Sequence, residues 1–309
     1  MEKRSGKSCK YILAAELFLI VLCSVSIFLV NKETNINKRK YDFLVNEFEA
    51  KQKKVSSQKE KLSNLEKELI SYTDIDESIN TIKSDYFNSI KKLEDKILNN
   101  ESDKKIAYIT FDDGPYYNTY KVLDILDEAN VKATFFTISA NGQFCHDNKS
   151  ENCFNLYNEY FKRGHTIANH TYTHAIFKGL YSSSDAFMDA IMKQEEHIKN
   201  LTGYTTNITR FPGGSASAKG LKDEIVSRLR DRGYGWVDWT AGDGDGGGLS
   251  SRDQAWGNFV STINDKIEVI LFHDYNKYTT EILSDAIKYL KENGYEIFPL
   301  FYESNAINK

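Results

Sequence analysis

Apolar residues follow two regimes along this chain. From Tyr11 to Val30, "YILAAELFLIVLCSVSIFLV", they run almost unbroken, with Glu16 the one charge. A helix of ~20 apolar residues matches the roughly 30 Å core of a bilayer. From Lys105 onward they come instead in short blocks: "KIAYITF", "KATFFTI", "HTIAN", "ITRFP", "YGWVDW", "IEVILFHD" and "YEIFPL". Such blocks have the length and the β-branched and aromatic content of buried strands. Between them, "NTYKVLDILDEAN", opened by Asn118, and the segments Ser184 to Asn200, Leu221 to Arg232, Asp253 to Ile263 and Thr279 to Asn293 carry helical spacing. Strand and helix in alternation predict an α/β fold with a parallel sheet and helices packed outside. About seven such units in roughly 200 residues predict a (β/α) barrel, whose chemistry belongs at the C-terminal ends of the strands.

The stretch between these regimes is charged and contains neither glycine nor proline: no glycine occurs from Gly6 to Gly114, and all three prolines lie at or beyond Pro115. Leu62, Leu65, Leu69 and Tyr72 recur at heptad-like spacing, and Ile75, Ile79, Ile82, Tyr86, Ile90, Leu93 and Ile97 continue it after a change of phase. This predicts a helical or coiled-coil stalk able to self-associate, with a solvated, partly disordered linker as the alternative. The expected organisation is a cytoplasmic tail over residues 1–10, a transmembrane anchor over 11–30, a stalk over 31–104 and a catalytic domain over 105–302.

Ile27 to Val30 extend the apolar run past Ser24 and Ser26 without an Ala-x-Ala site, which favours an uncleaved anchor over a signal peptide. Leu22 before Cys23 argues against lipidation. Basic residues flank the span on both sides, Lys3, Arg4, Lys7 and Lys10 before it and Lys32, Lys38, Arg39 and Lys40 after it, so flanking charge barely sets the orientation. A formal net charge of −4 leaves no basic footprint for nucleic acid.

Candidate chemistry begins at "ITFDDGP", where Asp112 and Asp113 end a strand and Gly114-Pro115 turns the chain away. Two adjacent carboxylates repel unless a cation relieves them. The next strand end, "NHTYTH", offers His170 and His174, four residues apart and on one face if the segment is a helical turn. Two imidazoles and a carboxylate, with a position left for water, make up a catalytic zinc site. Arg210 in "TRFPGGS", Asp245 in "AGDGDGGG" and His273 in "LFHD" converge on the same rim; singly, each reads better as a surface salt bridge, a turn residue and a satisfied core histidine respectively.

Together, "TFDDGP", "HTYTH", "RFPGG" and "LFHD" resemble the motifs of the polysaccharide deacetylases of carbohydrate esterase family 4, the NodB-homology family, over about Lys105 to Leu300. The resemblance implies a distorted (β/α) barrel and a divalent-metal hydrolase, with zinc or cobalt as the expected ion, that removes acetyl groups from amino sugars. By position it implies Asp113, His170 and His174 as metal ligands and Asp112 as catalytic base. Arg210 would orient Asp112, and His273 would be the general acid tuned by Asp245, with Asp243 a competing candidate. Pro212, Gly213 and Trp239 are expected at the substrate, the Gly213 N–H as oxyanion donor. The chain departs from the family pattern in having Gly213 where a tyrosine is frequent and Gly246 where a tryptophan is usual, and both changes widen the groove.

Trp236, Trp239 and Trp256 suit either sugar stacking or internal packing, the commoner use. His165, at a helix-strand turn, reads as structural; His146 lies in the loop "CHDNKSENC" and His197 on a polar helix. Cys145 and Cys153 flank that loop and suit a disulfide outside the cell. An anchored extracellular deacetylase on a stalk points to peptidoglycan N-acetylglucosamine. Exported poly-N-acetylglucosamine, chitin fragments and N-acetylmuramic acid are the alternative substrates, and a non-catalytic glycan-binding scaffold is the alternative class.

Overall fold

The computed structural model describes residues 19, 46–61, 84–116, 118–139 and 151–309. The chain divides into two compact units, Met1–Asp85 and Tyr86–Lys309. In the first, residues 46–61 are helical, and Lys51 pairs with Glu47 one turn earlier at 2.8 Å. The expected anchor, apart from Leu19, and the heptad run from Leu62 to Ile82 lie outside the described residues, as does Cys145 of the expected disulfide. Among the described residues no helix is long and apolar enough to cross a membrane.

The second unit is built on eight parallel strands: β1 (Lys105–Asp112), β2 (Thr134–Thr137), β3 (Thr166–Asn169), β4 (Ile208–Thr209), β5 (Gly235–Trp236), β6 (Ala241–Gly242), β7 (Ile267–His273) and β8 (Tyr295–Phe298). Among the described residues, six helices follow β1: α1 (Thr119–Glu128), α2 (Glu151–Lys162), α3 (Ser184–Thr202), α4 (Lys222–Asp231), α5 (Arg252–Thr262) and α6 (Lys277–Glu292). The strand order is β5-β4-β3-β2-β1-β7-β6, with β8 on the lower half of β1 beside β2. β5 and β6 do not pair, so the barrel stays open there. Residues 237–240 cross the gap, and Trp236 pairs with Asn308 in an antiparallel bridge.

β1 occupies the centre because nearly every residue in it is buried, as a parallel strand covered on both faces requires. Its alternation assigns the two faces. Ala107, Ile109 and Phe111 pack outward with Leu123, Leu126, Leu283 and Ile287 of the helices. Ile106 and Tyr108 point inward with Phe136, Ala168, Ile208, Val237 and Val269. The same period carries Thr110 and then Asp112 to the inner face at the C-terminal end, where the barrel mouth opens.

Two elements depart from the expectation. α2 begins inside the stretch read as a loop, "CHDNKSENC", and is the helix, given no range from sequence, that the helix-strand turn at His165 implies: Leu156, Tyr157 and Tyr160 are buried at helical spacing, and the asparagines and glutamates around them hide the stripe. β6 is a two-residue strand inside a glycine-rich run, too short to leave a pattern.

Residues 84–98 form a helix that packs into the inward-facing cluster through Ile90 and Ile97, beside Tyr108 and Phe301. The last turns of the charged stretch therefore belong to the compact unit. Glu94, fully buried on this helix, accepts hydrogen bonds from Tyr108 Oη (2.7 Å), Ser304 Oγ (2.6 Å) and Asn305 N (2.9 Å). Glu94→Ala removes the acceptor of two buried hydroxyls, Tyr108 and Ser304, and of the Asn305 N–H, and is expected to cost about 1–3 kcal/mol. Urea denaturation should show this as a lower midpoint at unchanged slope.

Candidate active site

Strand register sets the site. Asp112 lies opposite His273 across β1 and β7 and opposite Phe136 across β1 and β2; Thr137 lies opposite Asn169, and Asn169 opposite Thr209. The residues that follow β3 and β4, His170 and Arg210, thus arrive level with Asp112.

Arg210 is the largest fully buried side chain in the described structure. Its Nη1 donates to Asp112 Oδ1 at 2.8 Å and to Thr110 Oγ1 at 2.7 Å. Nε donates to the Val237 carbonyl at 3.2 Å and Nη2 to that of Asp238 at 3.1 Å, while the guanidinium lies 4.2 Å from the Phe136 ring centroid. A buried cation is tolerated only when paired and hydrogen-bonded throughout, and this one is. One Asp112 oxygen is thereby fixed; the other, Oδ2, lies 3.5 Å from His170 Nε2.

Asp113 turns away from its neighbour because its backbone is left-handed, φ +70°. That conformation is costly for a residue with a Cβ and has to be held in place. Phe136 O accepts from Asp113 N at 3.1 Å, and Gly114 O accepts from Ile138 N at 3.0 Å. Behind the loop, Asp274 is fully buried, accepts from the Thr119 hydroxyl, and presses on Gly114 so closely that a Cβ there would stand 2.7 Å from its Oδ2. Burial pushes the Asp274 carboxyl up to about 7. The motif "LFHD" displays Asp274, yet no spacing rule assigned it a task.

The Asp113 carboxylate reaches between two imidazoles, with Oδ1 3.6 Å from His170 Nε2 and 3.5 Å from His174 Nε2. Oδ1 itself is buried with no hydrogen-bond partner, an expensive state for a carboxylate oxygen. Ligand atoms ~2.1 Å from one ion at tetrahedral angles stand ~3.4 Å apart, close to both separations from Asp113 Oδ1, and all three ligand atoms lie within 4.8 Å of one another. His170 is prepared for that role: its Nδ1 lies 2.8 Å from the Arg210 carbonyl, to which it donates, leaving the Nε2 lone pair toward Asp113. Burial pushes its pKa down and keeps the ring neutral. Asp113, His170 and His174 are thus a candidate metal group.

The expected helical turn between the histidines is not formed. Residues 170–175 run as an irregular loop in which Thr171 (φ +67°) and His174 (φ +51°) are left-handed. Asn169 Oδ1 accepts from Thr171 N at 2.9 Å, and Thr171 Oγ1 from His174 N at 3.2 Å. Side-chain capping bends the loop so that both rings face Asp113, which the helical reading had ascribed to periodicity.

On the opposite side, His273 Nδ1 contacts Asp245 Oδ1 at 2.6 Å, and His273 N donates to Asp245 Oδ2 at 2.7 Å. Its Nε2 stands 3.8 Å from Asp113 Oδ2. Burial acts to lower the His273 pKa, but the Asp245 hydrogen bond and charge, with Asp113 and Asp112 behind them, push it up to about 9. Of the two competing aspartates, Asp245 is thus the one in contact with His273. Asp243 stands one step back: Thr279 Oγ1 lies 2.6 Å from Asp243 Oδ2 and 2.8 Å from Asp245 Oδ2. A single hydroxyl hydrogen cannot serve two carboxylates. Burial, then the Asp245 charge, raises the Asp243 pKa, which makes Asp243 the readier of the two to carry a proton in that contact.

These groups open onto a cleft of about 610 Å³, whose lining also includes Gly213, Trp239 and Tyr275. Among the described residues the Gly213 N–H has no acceptor, consistent with an N–H free for a ligand. Pro212 is buried outside the lining, and its carbonyl accepts from Tyr181 Oη at 2.8 Å. Asp238 fixes the glycine loop by accepting from Ser215 N (2.9 Å) and Ser215 Oγ (2.6 Å). Trp236 packs on Phe211 and Trp256 on Phe259 and Tyr289, both internal uses. His165 accepts from Ala133 N at 3.1 Å, and its pKa is pushed down to about 3 by burial, as suits a structural residue.

Comparison with known proteins agrees with this geometry. A family model described as polysaccharide deacetylase matches residues 99–234. A peptidoglycan-N-acetylglucosamine deacetylase of Bacillus cereus is 31% identical over 220 residues, covering 67% of this chain and 72% of the relative. A peptidoglycan-N-acetylmuramic acid deacetylase of Bacillus subtilis is 30% identical over 213 residues, covering 67% and 73%. Among solved structures, the catalytic domain of a peptidoglycan N-acetylglucosamine deacetylase from Eubacterium rectale superposes with a TM-score of 0.60 at 34% identity, covering 67% of this chain and 93% of that one.

Proposed function

This chain belongs to the polysaccharide deacetylase family, whose members are hydrolases of amide bonds, and from that premise we propose that it removes acetyl groups from N-acetylglucosamine units of peptidoglycan with the help of a divalent metal. The observation that carries the reading is the orphaned Asp113 Oδ1 between two imidazole nitrogens, beside an Asp112 that Arg210 keeps in a different place.

Asp113, His170 and His174 would hold the ion. When bound, a divalent cation supplies Lewis-acid polarisation of the acetamide carbonyl and acidifies water. Asp112 Oδ2, not needed by Arg210, accepts the proton of the attacking water. The Gly213 N–H donates to the carbonyl oxygen as charge grows on it. His273, oriented by Asp245 through Nδ1, gives the proton on Nε2 to the departing nitrogen as the C–N bond breaks. Acetate and a free amino sugar result.

The wall substrate is supported by the names of the relatives and by the apolar segment Tyr11 to Val30, which would anchor the catalytic unit outside the membrane beside its polymer. The purified chain is expected to deacetylate chitooligosaccharides, to stop after exhaustive chelation, and to resume with zinc or cobalt. Undiminished turnover in metal-free protein would refute the metal-dependent reading.

A further inference from the structure

Building on the deacetylase reading above, we propose that Phe177 is a stacking platform for a second sugar ring of the glycan, forming a subsite continuous with the catalytic cleft. Phe177 is 99% exposed, where the next most exposed large apolar side chain described, Leu98, is at 58%. Leaving a phenyl ring wholly in water forgoes the free energy of burying it, so its position calls for a use.

The ring is not on a loose segment. Residues Ile176–Lys178 form a single 3-10 turn. Within and around it Ile176 N donates to His174 O (2.9 Å), while Lys178 N (3.0 Å) and Leu180 N (3.1 Å) donate to Ala175 O. Gly179, at φ +98°, closes the turn, and Leu180 is buried with Phe187 and Phe211. A fixed turn therefore holds the phenyl group out in solvent.

Its place is the cleft mouth. Ile176 lines the cleft, and consecutive Cα atoms are ~3.8 Å apart, so Phe177 starts one residue from the wall. The wall itself is continuous. A Cβ on Gly213 would meet Ile176 Cδ1 at 3.1 Å, and one on Gly214 would meet the Trp239 ring at 3.2 Å. The two glycines, at φ +71° and +82°, link these neighbours: Gly213, exposed on the cleft lining, touches Ile176, and the buried Gly214 touches Trp239, which is 39% exposed and itself lines the cleft. Ile176, Gly213 and Trp239 thus share the cleft lining, and exposed Phe177 follows Ile176 directly.

The occupant follows from the size of the patch. Phe177 is followed by Lys178 and Gly179, both exposed, so its apolar surface is one ring wide. A protein partner buries a far larger area. One aromatic face beside an open cleft suits the C–H face of a single pyranose, and a glycan that enters the cleft must carry further rings past its mouth.

The test measures kcat/KM of the full-length chain, metal-loaded, on chitooligosaccharides from dimer to pentamer, for the wild type, Phe177→Ala and Phe177→Trp. The wild type should improve with chain length. Phe177→Ala should lose roughly 5- to 30-fold on the longest oligomer, with the loss growing with length and lying in KM, and Phe177→Trp should restore it. An active Phe177→Ala enzyme with the wild-type length profile would overturn the subsite while leaving the deacetylase reading intact. No turnover by the wild type on any oligomer would overturn the deacetylase reading and the subsite with it. Loss of binding to phosphatidylglycerol vesicles in Phe177→Ala, with the length profile unchanged, would overturn the subsite in favour of a lipid contact.

Discussion

Asp112→Asn is expected to keep its metal and lose about 10²- to 10⁴-fold in kcat. Asp112 spends Oδ1 on Arg210 and directs Oδ2 to the cleft, 3.5 Å from His170 Nε2, so an isosteric amide can retain the first contact. What the amide cannot do is accept a proton from water. The buried Arg210 would keep its hydrogen bonds to Thr110 and to the Val237 and Asp238 carbonyls, which protects the fold from an unpaired cation. The check is metal content by elemental analysis beside steady-state kinetics. Loss of metal in step with activity would assign Asp112 to the ligand set.

Asp113→Asn should fail in the other order. Asparagine tolerates the left-handed backbone at this position better than most residues, so the loop from Asp113 to Tyr116 keeps its path. The charged oxygen between His170 and His174 is gone, and two neutral imidazoles hold a divalent ion far less firmly than two imidazoles and a carboxylate. The protein is expected to leave gel filtration without metal. The several kcal/mol of transition-state stabilisation lost with the ion correspond to roughly 10²- to 10⁴-fold in rate. Excess zinc should recover part of the activity here and none in Asp112→Asn, which separates the two aspartates by phenotype.

Much of this was legible in the chain because strand-end residues announce themselves. Asp112, His170, Arg210 and His273 follow apolar blocks directly, and parallel register does the rest once β1 is recognised as central. What stayed hidden depends on backbone and burial. The left-handed φ of Asp113, Thr171 and His174 lets adjacent or nearby groups point where periodicity would not send them, and non-glycine residues give no sequence mark of it. Asp274 and Asp243 act through contacts from behind the loops, and their burial comes from elements distant in sequence. The helix over 84–98 reads as stalk because its exposed face is charged, while Ile90, Glu94 and Ile97 face the barrel interior. α2, implied by the helix-strand turn at His165, has no legible range because asparagines and glutamates interrupt its stripe. Trp239 was visible as a residue but not as the neighbour of Gly214, a relation that exists only after the chain crosses the open side of the barrel.

The most direct measurement is mass spectrometry of muropeptides from peptidoglycan incubated with the metal-loaded chain, beside the same chain stripped of metal. The account predicts muropeptides lighter by one acetyl group, with the missing acetyl on glucosamine, from the loaded protein alone. Muropeptides that retain every acetyl group, or that lose them equally with and without metal, would contradict it.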